Sequence, residues 1–341
     1  MKKILCWAYA ALLIVYLLPV AFREAPASTG EGISPAKAQP LVLSAGEERP
    51  ADDQAPTQAP VPGAPVPERL RVLVGDEIVE MDTQDYLTGV VAGEMPASFP
   101  HDALKAQAVA ARTYAMYCAA AHKHGEADLC TDPGCCQAWL GEDRLREKWG
   151  KDYETRLGAV RDAVEETAGE YLSYQGEPVF AAFHSSSAGA TEDCGALWSP
   201  LPYLVSVSSP ETAGDVPGYI STLRCAPIDF RDVILSAHPE ADFSGEAESW
   251  IGELRRDESG RVESAALGGT QISGTELRSL FSLRSTAFTL EYSEGSFLFT
   301  VTGYGHGVGM SQYGAMVLAR DGADYASILA HYYPGTVLVQ G

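Results

Sequence analysis

The stretch DTQDYLTGVVAGEMPASFPHDALKAQAVAARTYAMYCAAA, residues 82–121, decides the architecture. Asp82 or Thr83 can N-cap a short helix that runs to about Glu94. Its apolar positions Leu87, Val90 and Val91 recur at helical spacing, and Glu94 falls on the same stripe. Pro96 pushes Met95 out of the α region, so the helix stops there. A second helix, rich in alanine, starts after Pro100 with Asp102 in its first turn and ends near Ala121. So many small side chains suit close helix–helix packing better than exposure to solvent.

Upstream, Leu70–Val74 and Glu77–Met81 alternate around Gly75-Asp76, which reads as a two-residue hairpin turn. Downstream, a third helix is expected over roughly Tyr153 to Thr167, with Leu157, Val160 and Val164 on one face. Strands are expected at Tyr171–Tyr174 and Pro178–Phe183, around Gln175-Gly176. After Trp198 the pattern shifts to short strands and one or two helices, giving a small α/β lobe at about 205–300. A glycine-rich segment, Gly303 to Gly314, then leads into a helix from about Gly314 to Asp321. Strands and helices mixed without βαβ alternation predict an α+β fold, a single mixed domain over 69–341 that carries the small lobe.

The N-terminus sets the topology. Lys2 and Lys3 precede an uncharged run from Ile4 to Phe22, closed by Arg23 and Glu24. About 19 apolar residues nearly cross a ~30 Å hydrocarbon core, and positive charge on the short side places that side in the cytoplasm. The run exceeds a typical signal-peptide core, which favours a retained transmembrane helix over residues 1–22. Small residues at Ala25, Ala27 and Ser28 are nevertheless compatible with cleavage. In either case the body of the protein leaves the cytoplasm. Residues 23–68 are rich in Pro, Ala and acidic groups, as in AQAPVPGAPVPE, and read as a disordered, semi-extended linker.

Of 341 residues 46% are hydrophobic and 21% charged, and the formal net charge is −22. That balance argues against nucleic acid as a partner, because phosphate binding needs clustered Lys and Arg.

Four constellations can carry chemistry. Glu94, a carboxylate on an apolar stripe at an abrupt helix end, would be partly desolvated, which raises its pKa and suits a general acid. Without a partner motif, a helix-end Glu that reaches solvent or pairs with Arg is the commoner case. Lys105 and Arg112, seven residues apart on one face of the Ala-rich helix, could steady developing charge, although an ordinary solvated face fits the spacing equally well. The loop HKHGEADLCTDPGCCQAW places His124, Cys130, Cys135 and Cys136 within thirteen residues, a ligand set for tetrahedral zinc. Outside the cytoplasm, disulfides compete with that reading. Cys135 or Cys136 could bond Cys118 or Cys130, and Cys194 could bond Cys225. Finally, FHSSSAG (Phe183 to Gly189) and GYGHGVGMSQYGA (Gly303 to Ala315) each set a His among small and hydroxyl residues, where glycine permits close backbone approach to a ligand. Neither is a phosphate loop or a serine-nucleophile elbow.

Taken together, YLTGVVAGEMPASFPHDALKAQAVAARTYA, FHSSSAGATE, PLPYLVSV and GYGHGVGMSQYGA resemble the stage II sporulation protein D family of lytic transglycosylases, to which the amidase-enhancer proteins are related. The resemblance runs in order over most of residues 70–341. It implies Glu94 as the catalytic acid/base and Lys105 and Arg112 as supporting cations. It also implies His184, Ser185, His306, Ser311, Gln312 and Tyr313 as the lining of a glycan cleft. Some members similar in the His-Cys loop bind zinc there through two His and two Cys. Here Cys135 stands in place of the second His, and a closed set of one His and three Cys would make zinc a structural cofactor. Phe183 stands where many relatives have Tyr, so no catalytic role is assigned to it.

The implied activity is non-hydrolytic cleavage of the MurNAc-GlcNAc β-1,4 bond of peptidoglycan, leaving 1,6-anhydro ends. The implied setting is sporulation engulfment, with the protein a single-pass component of the mother-cell membrane facing the intermembrane space. Its partners there would be stem-stripped glycan strands, a cell-wall amidase and a membrane protein. The alternative is a non-catalytic, glycan-binding activator of a cell-wall amidase.

Overall fold

A computed structural model describes residues 61–63, 65–121 and 123–341. The N-terminal apolar run and most of the Pro-rich linker lie outside the described residues. Among the described residues, no helix is long and apolar enough to cross a membrane.

A short strand β1 (Val61–Pro62) precedes the hairpin of β2 (Arg69–Val74) and β3 (Glu77–Asp82). The turn falls where expected, with Gly75 at φ +62°, a conformation that lacks a steric penalty only for glycine. Asp82 ends the hairpin and starts helix α1 (Thr83–Glu94), its carboxylate accepting from the N–H groups of Gln84 and Asp85. Met95, ahead of Pro96, is extended (φ −122°, ψ 140°) and ends the helix at Glu94.

Helix α2 (His101–Ala121), about 32 Å long, is the axle of the molecule. Its alanines from Ala103 to Ala115 are buried, and it packs against α1 and against three later helices, Tyr153–Glu166, Gln312–Arg320 and Tyr325–Tyr332. After it, β4 (Leu129–Cys130) runs parallel to β2 and returns the His-Cys loop to the hairpin. Helices α3 (Glu142–Trp149) and α4 (Tyr153–Glu166) come next. Leu157, Val160 and Val164 of α4 are buried in the main core, as their spacing predicts.

Strand β5 (Glu170–Tyr174) turns back into β6 (Glu177–Pro178). The continuous strand expected over Pro178–Phe183 does not form. The N–H of Ala182 bonds Phe180 O at 2.9 Å, and this tight turn breaks the run before β7 (Phe183–His184).

The second lobe begins with β8 (Ile220–Cys225) and α5 (Pro227–Ala237). It continues through β9 (Ile251–Arg256), β10 (Val262–Leu267), β11 (Thr270–Ser273) and α6 (Gly274–Leu280). It closes with β12 (Phe288–Ser293) and β13 (Ser296–Thr302). Two three-stranded sheets, β11-β10-β9 and β12-β13-β8, enclose a separate aromatic core in which Phe230 and Phe297 stack at 3.9 Å.

The chain then returns to the main core as β14 (Met310–Ser311), which pairs parallel with β7. Helices α7 (Gln312–Arg320) and α8 (Tyr325–Tyr332) follow, and β15 (Val337–Gln340) completes the sheet β1-β15-β5-β6. The fold is α+β, as the absence of βαβ alternation predicts. Helices α3 and α8 were not legible in the sequence pattern, since each presents only a short apolar face.

Candidate active site

Glu94 stands at the C-terminal end of α1 and faces a cleft of about 760 Å³, within the usual size range of ligand sites. Its Oε1 accepts from the N–H of Ala138 at 3.0 Å and its Oε2 from Nε2 of Gln312 at 3.3 Å. Burial pushes the Glu94 pKa above the ordinary carboxylate range, against the pull of these two donors and the nearby Lys148 ammonium. Among the described residues that line the cleft, Glu94 is the sole carboxylate.

The delivery of Ala138 follows from α1 itself. Gly89 and Gly93, four residues apart, leave a bare groove on the helix. The segment 138–140 lies in that groove, with Leu140 N bonded to Gly89 O at 3.2 Å. A β-carbon at Gly89 would collide with the Trp139 indole, whereas one at Gly93 would make ordinary contact with Ala138 O at 3.4 Å.

Gln312 is held between two acceptors, Glu94 and Oε1 of Gln107 at 3.4 Å. Lys148, on α3, donates from Nζ to Ala92 O at 3.0 Å. Desolvation lowers its pKa while the Glu94 charge raises it. Neither Lys148 nor Ala138 was visible as a site residue, because each sits in an unremarkable local sequence.

The two glycine-rich loops meet through the β7–β14 pairing. His184, Ser185 and His306 line the cleft. His184 is buried, with Nδ1 at 3.2 Å from Val308 O and Nε2 at 2.7 Å from Ser187 Oγ. A carbonyl only accepts, so the proton is assigned to Nδ1 and the Ser187 hydroxyl donates to Nε2. Burial lowers the His184 pKa, with a further push from His306. The His306 pKa falls to about 4, again mainly through burial, and both rings are therefore neutral at pH 7.

Other expected site residues take different positions. Ser311 is buried and caps α7, and its Oγ donates to Glu211 at 2.5 Å. Tyr313 packs edge-on against Phe99 and does not line the cleft. Arg112 is fully buried and donates to the carbonyls of Glu170 (3.0 Å) and Val164 (3.1 Å), which makes it a brace between α2, α4 and β5. Lys105 pairs with Glu166 at 3.2 Å and lies over the Tyr325 ring. Neither cation lines the cleft. Seven-residue spacing puts both on one side of α2, but α4 and α8 cover that side.

Glu211 was missed entirely. Buried, it accepts from Ser187 N (2.5 Å), Ser209 Oγ (2.6 Å) and Ser311 Oγ, and so clasps both loops from behind.

Ligand atoms of His124, Cys130, Cys135 and Cys136 all lie within 4.8 Å of one another, with His124 Nε2 at 3.2 Å from Cys136 Sγ and 3.5 Å from Cys135 Sγ. Zinc–sulfur and zinc–nitrogen bond lengths imply tetrahedral edges of roughly 3.5–3.8 Å. The four residues fit such an ion. Their loop forms one wall of the cleft, ending in Gln137 immediately before Ala138. The six described cysteines are all free thiols. Cys194 donates to Ser199 O at 2.9 Å in the main core, whereas Cys225 lies on β8 of the second lobe, so the pairing considered between them is not made.

The arrangement is chemically capable of acid/base work: one perturbed carboxylate, held by two donors, in a polar and aromatic cleft on an α+β scaffold. Comparison with known proteins identifies the lineage. The family model described as Stage II sporulation protein (SpoIID) matches residues 75–174. The chain is 36% identical over 258 residues to stage II sporulation protein D of Bacillus subtilis (strain 168), covering 74% of this chain and 73% of the relative. The Bacillus amyloliquefaciens protein of the same name is likewise 36% identical, over 257 residues. The amidase enhancer of B. subtilis is 31% identical over 303 residues, covering 74% of this chain and 40% of that protein. The chain belongs to the stage II sporulation protein D family.

Proposed function

We propose that this chain is a peptidoglycan lytic transglycosylase acting in sporulation. The observation that carries this reading is the solitary carboxylate. Glycosidases that use water as the attacking group generally need two carboxylates flanking the bond. A cleft with one fits a reaction in which the substrate supplies its own nucleophile.

In the proposed sequence, protonated Glu94 gives its proton to the glycosidic oxygen as the C1–O bond of the muramoyl unit breaks. The N–H groups of Ala138 and Gln312, with the charge of Lys148, stabilise the carboxylate so formed. Glu94 then takes the proton of the muramoyl C6 hydroxyl while O6 bonds C1, closing a 1,6-anhydro ring. The acid is regenerated and no water is consumed.

Zinc held by His124, Cys130, Cys135 and Cys136 would be structural, since four protein ligands leave no open position. The chain's own part is to carry Gln137 and Ala138 to Glu94. The apolar run Ile4–Phe22 would anchor the protein in the membrane, and the linker would give the catalytic domain reach towards glycan strands outside the cytoplasm. A cell-wall amidase and a membrane protein are the proposed partners.

A second reading, a non-catalytic activator of an amidase, is favoured by the relative named amidase enhancer. Incubating the purified protein with glycan strands, alone and with an amidase, separates the two. Cleavage by the protein alone, lost in Glu94→Gln, supports catalysis. Amidase stimulation without glycan cleavage would replace it with the activator reading.

A further inference from the structure

The cleft is lined on one side by aromatic rings that the acid/base chemistry does not use. Trp198 is 43% exposed, although it sits in a cleft wall. Phe180 meets its ring nearly edge-on (5.3 Å, 80°), and His306 packs beside it (5.3 Å, 58°). The indole is thus fixed by its neighbours while a large part of its surface stays open to solvent.

Phe180 continues the row to Tyr114 (5.5 Å) and Tyr117 (5.2 Å), three residues apart on α2. Tyr203 Oη accepts the Phe180 N–H at 3.2 Å, which holds that bend in place. Tyr117 is 38% exposed and lies outside the cleft lining. The rings therefore lead from the cleft wall out onto the surface.

Rigid, exposed aromatic side chains with polar tips suit ligands that are apolar on one face and wet at the rim. A pyranose ring is such a ligand, since its axial C–H groups form one face and its hydroxyl and acetamido groups the edge. A row that runs out of the cleft suits a polymer better than a single sugar.

We propose that Trp198, Phe180 and Tyr117 form a saccharide-stacking subsite, running from the cleft wall onto the surface, for a β-linked chain of N-acetylated hexosamines. This rests on the glycan reading of the cleft. The subsite sets how strongly binding grows with chain length. It takes no part in proton transfer.

The test is calorimetric titration of the full chain carrying Glu94→Gln, which suppresses cleavage, with soluble N-acetylglucosamine oligomers from the disaccharide to the hexasaccharide. Affinity should rise with length, and Trp198→Ala should flatten that rise, weakening the hexasaccharide about tenfold or more, whereas Trp198→Phe keeps most of it. Tyr117→Ala, outside the cleft lining, should weaken only the longer oligomers, by several-fold. Thermal unfolding of each variant shows whether its fold is intact. A length dependence unchanged in both Trp198→Ala and Tyr117→Ala overturns the proposal. So does tighter binding of a cell-wall stem peptide than of the oligomers, with that binding lost in Trp198→Ala. Length-dependent binding in a protein that never cleaves glycan would sink the catalytic reading alone. Cleavage through Glu94 with no role for Trp198 would sink only the subsite.

Discussion

The backbone N–H of Ala138 meets Oε1 of Glu94 at 3.0 Å, and so the loop that carries the His-Cys cluster ends on the central carboxylate. Forty-four residues separate the two in sequence. The contact exists because Gly89 and Gly93 let the loop lie directly on α1.

Gly89→Ala should therefore damage the site more than Gly93→Ala. A β-carbon at Gly89 strikes the Trp139 indole and lies 2.8 Å from Leu140 O, which forces the segment off the helix. The expected result is a loss of activity of about 10²-fold from misplacement and of about 1–3 kcal/mol in stability from overpacking. Gly93→Ala, with its nearest contact at 3.4 Å, should stay close to wild type in both. Steady-state cleavage rates with urea unfolding check the contrast.

The raised pKa of Glu94 gives a pH dependence with a definite sign. Activity that needs the protonated acid falls as pH rises through its folded pKa, which lies above the ordinary carboxylate value. Stability moves the same way. A group whose pKa is raised by folding contributes stability that is fully present below its unfolded pKa and is lost as pH rises through the folded one. Glu94→Gln should abolish activity yet unfold at higher denaturant than wild type at neutral pH. Below pH 4 the two should converge. Parallel urea curves at pH 4 and pH 8 measure this.

Glu211 joins the loops that supply His184 and Gln312, through Ser187 and Ser311. Glu211→Ala leaves three buried donors without their acceptor, at about 1–3 kcal/mol for each group left unpaired. Large destabilisation and loss of cleavage are expected together. Gly314→Ala, whose β-carbon would collide with Tyr332 Oη behind the same clasp, should do likewise.

Removing zinc should loosen the loop 123–138 and release Ala138 from Glu94. The purified protein should hold about one zinc per chain. Chelation should expose thiols to a titrating reagent and lower cleavage, with both effects reversed by added zinc. Cys130→Ser should show the same defects without chelator. Full activity in a zinc-free protein with titratable thiols would remove the loop from the account.

Much of the scaffold could be read from residues 70–121, because turn, cap, proline stop and apolar stripe all agree there. The agreement has a physical basis: a helix that must end beside a cleft needs an abrupt terminator, and Pro96 is visible as one. The supporting groups were less legible. Arg112 and Lys105 share a side of α2, but spacing alone could not show that α4 and α8 cover it. Ala138 acts through its backbone, which no side-chain pattern reports. The signal that could have found it is the Gly89/Gly93 spacing, a bare helix groove that another segment must fill. Glu211 sits in a plain stretch, and two of its partners, Ser187 and Ser311, come from loops joined only in the fold. Ser311 and Tyr313 lie in a marked motif, yet the capping of α7 and the packing on Phe99 take them out of the cleft.

Whether Glu94 recruits a substrate hydroxyl or water is decided by the oxygen at the new reducing end. Glycan strands are digested in heavy-oxygen water and the products weighed by mass spectrometry. A single carboxylate that recruits the substrate's own hydroxyl predicts 1,6-anhydro ends, one water lighter than a free sugar and carrying no label. Labelled, hydrated reducing ends formed by the wild-type protein and absent with Glu94→Gln would contradict it.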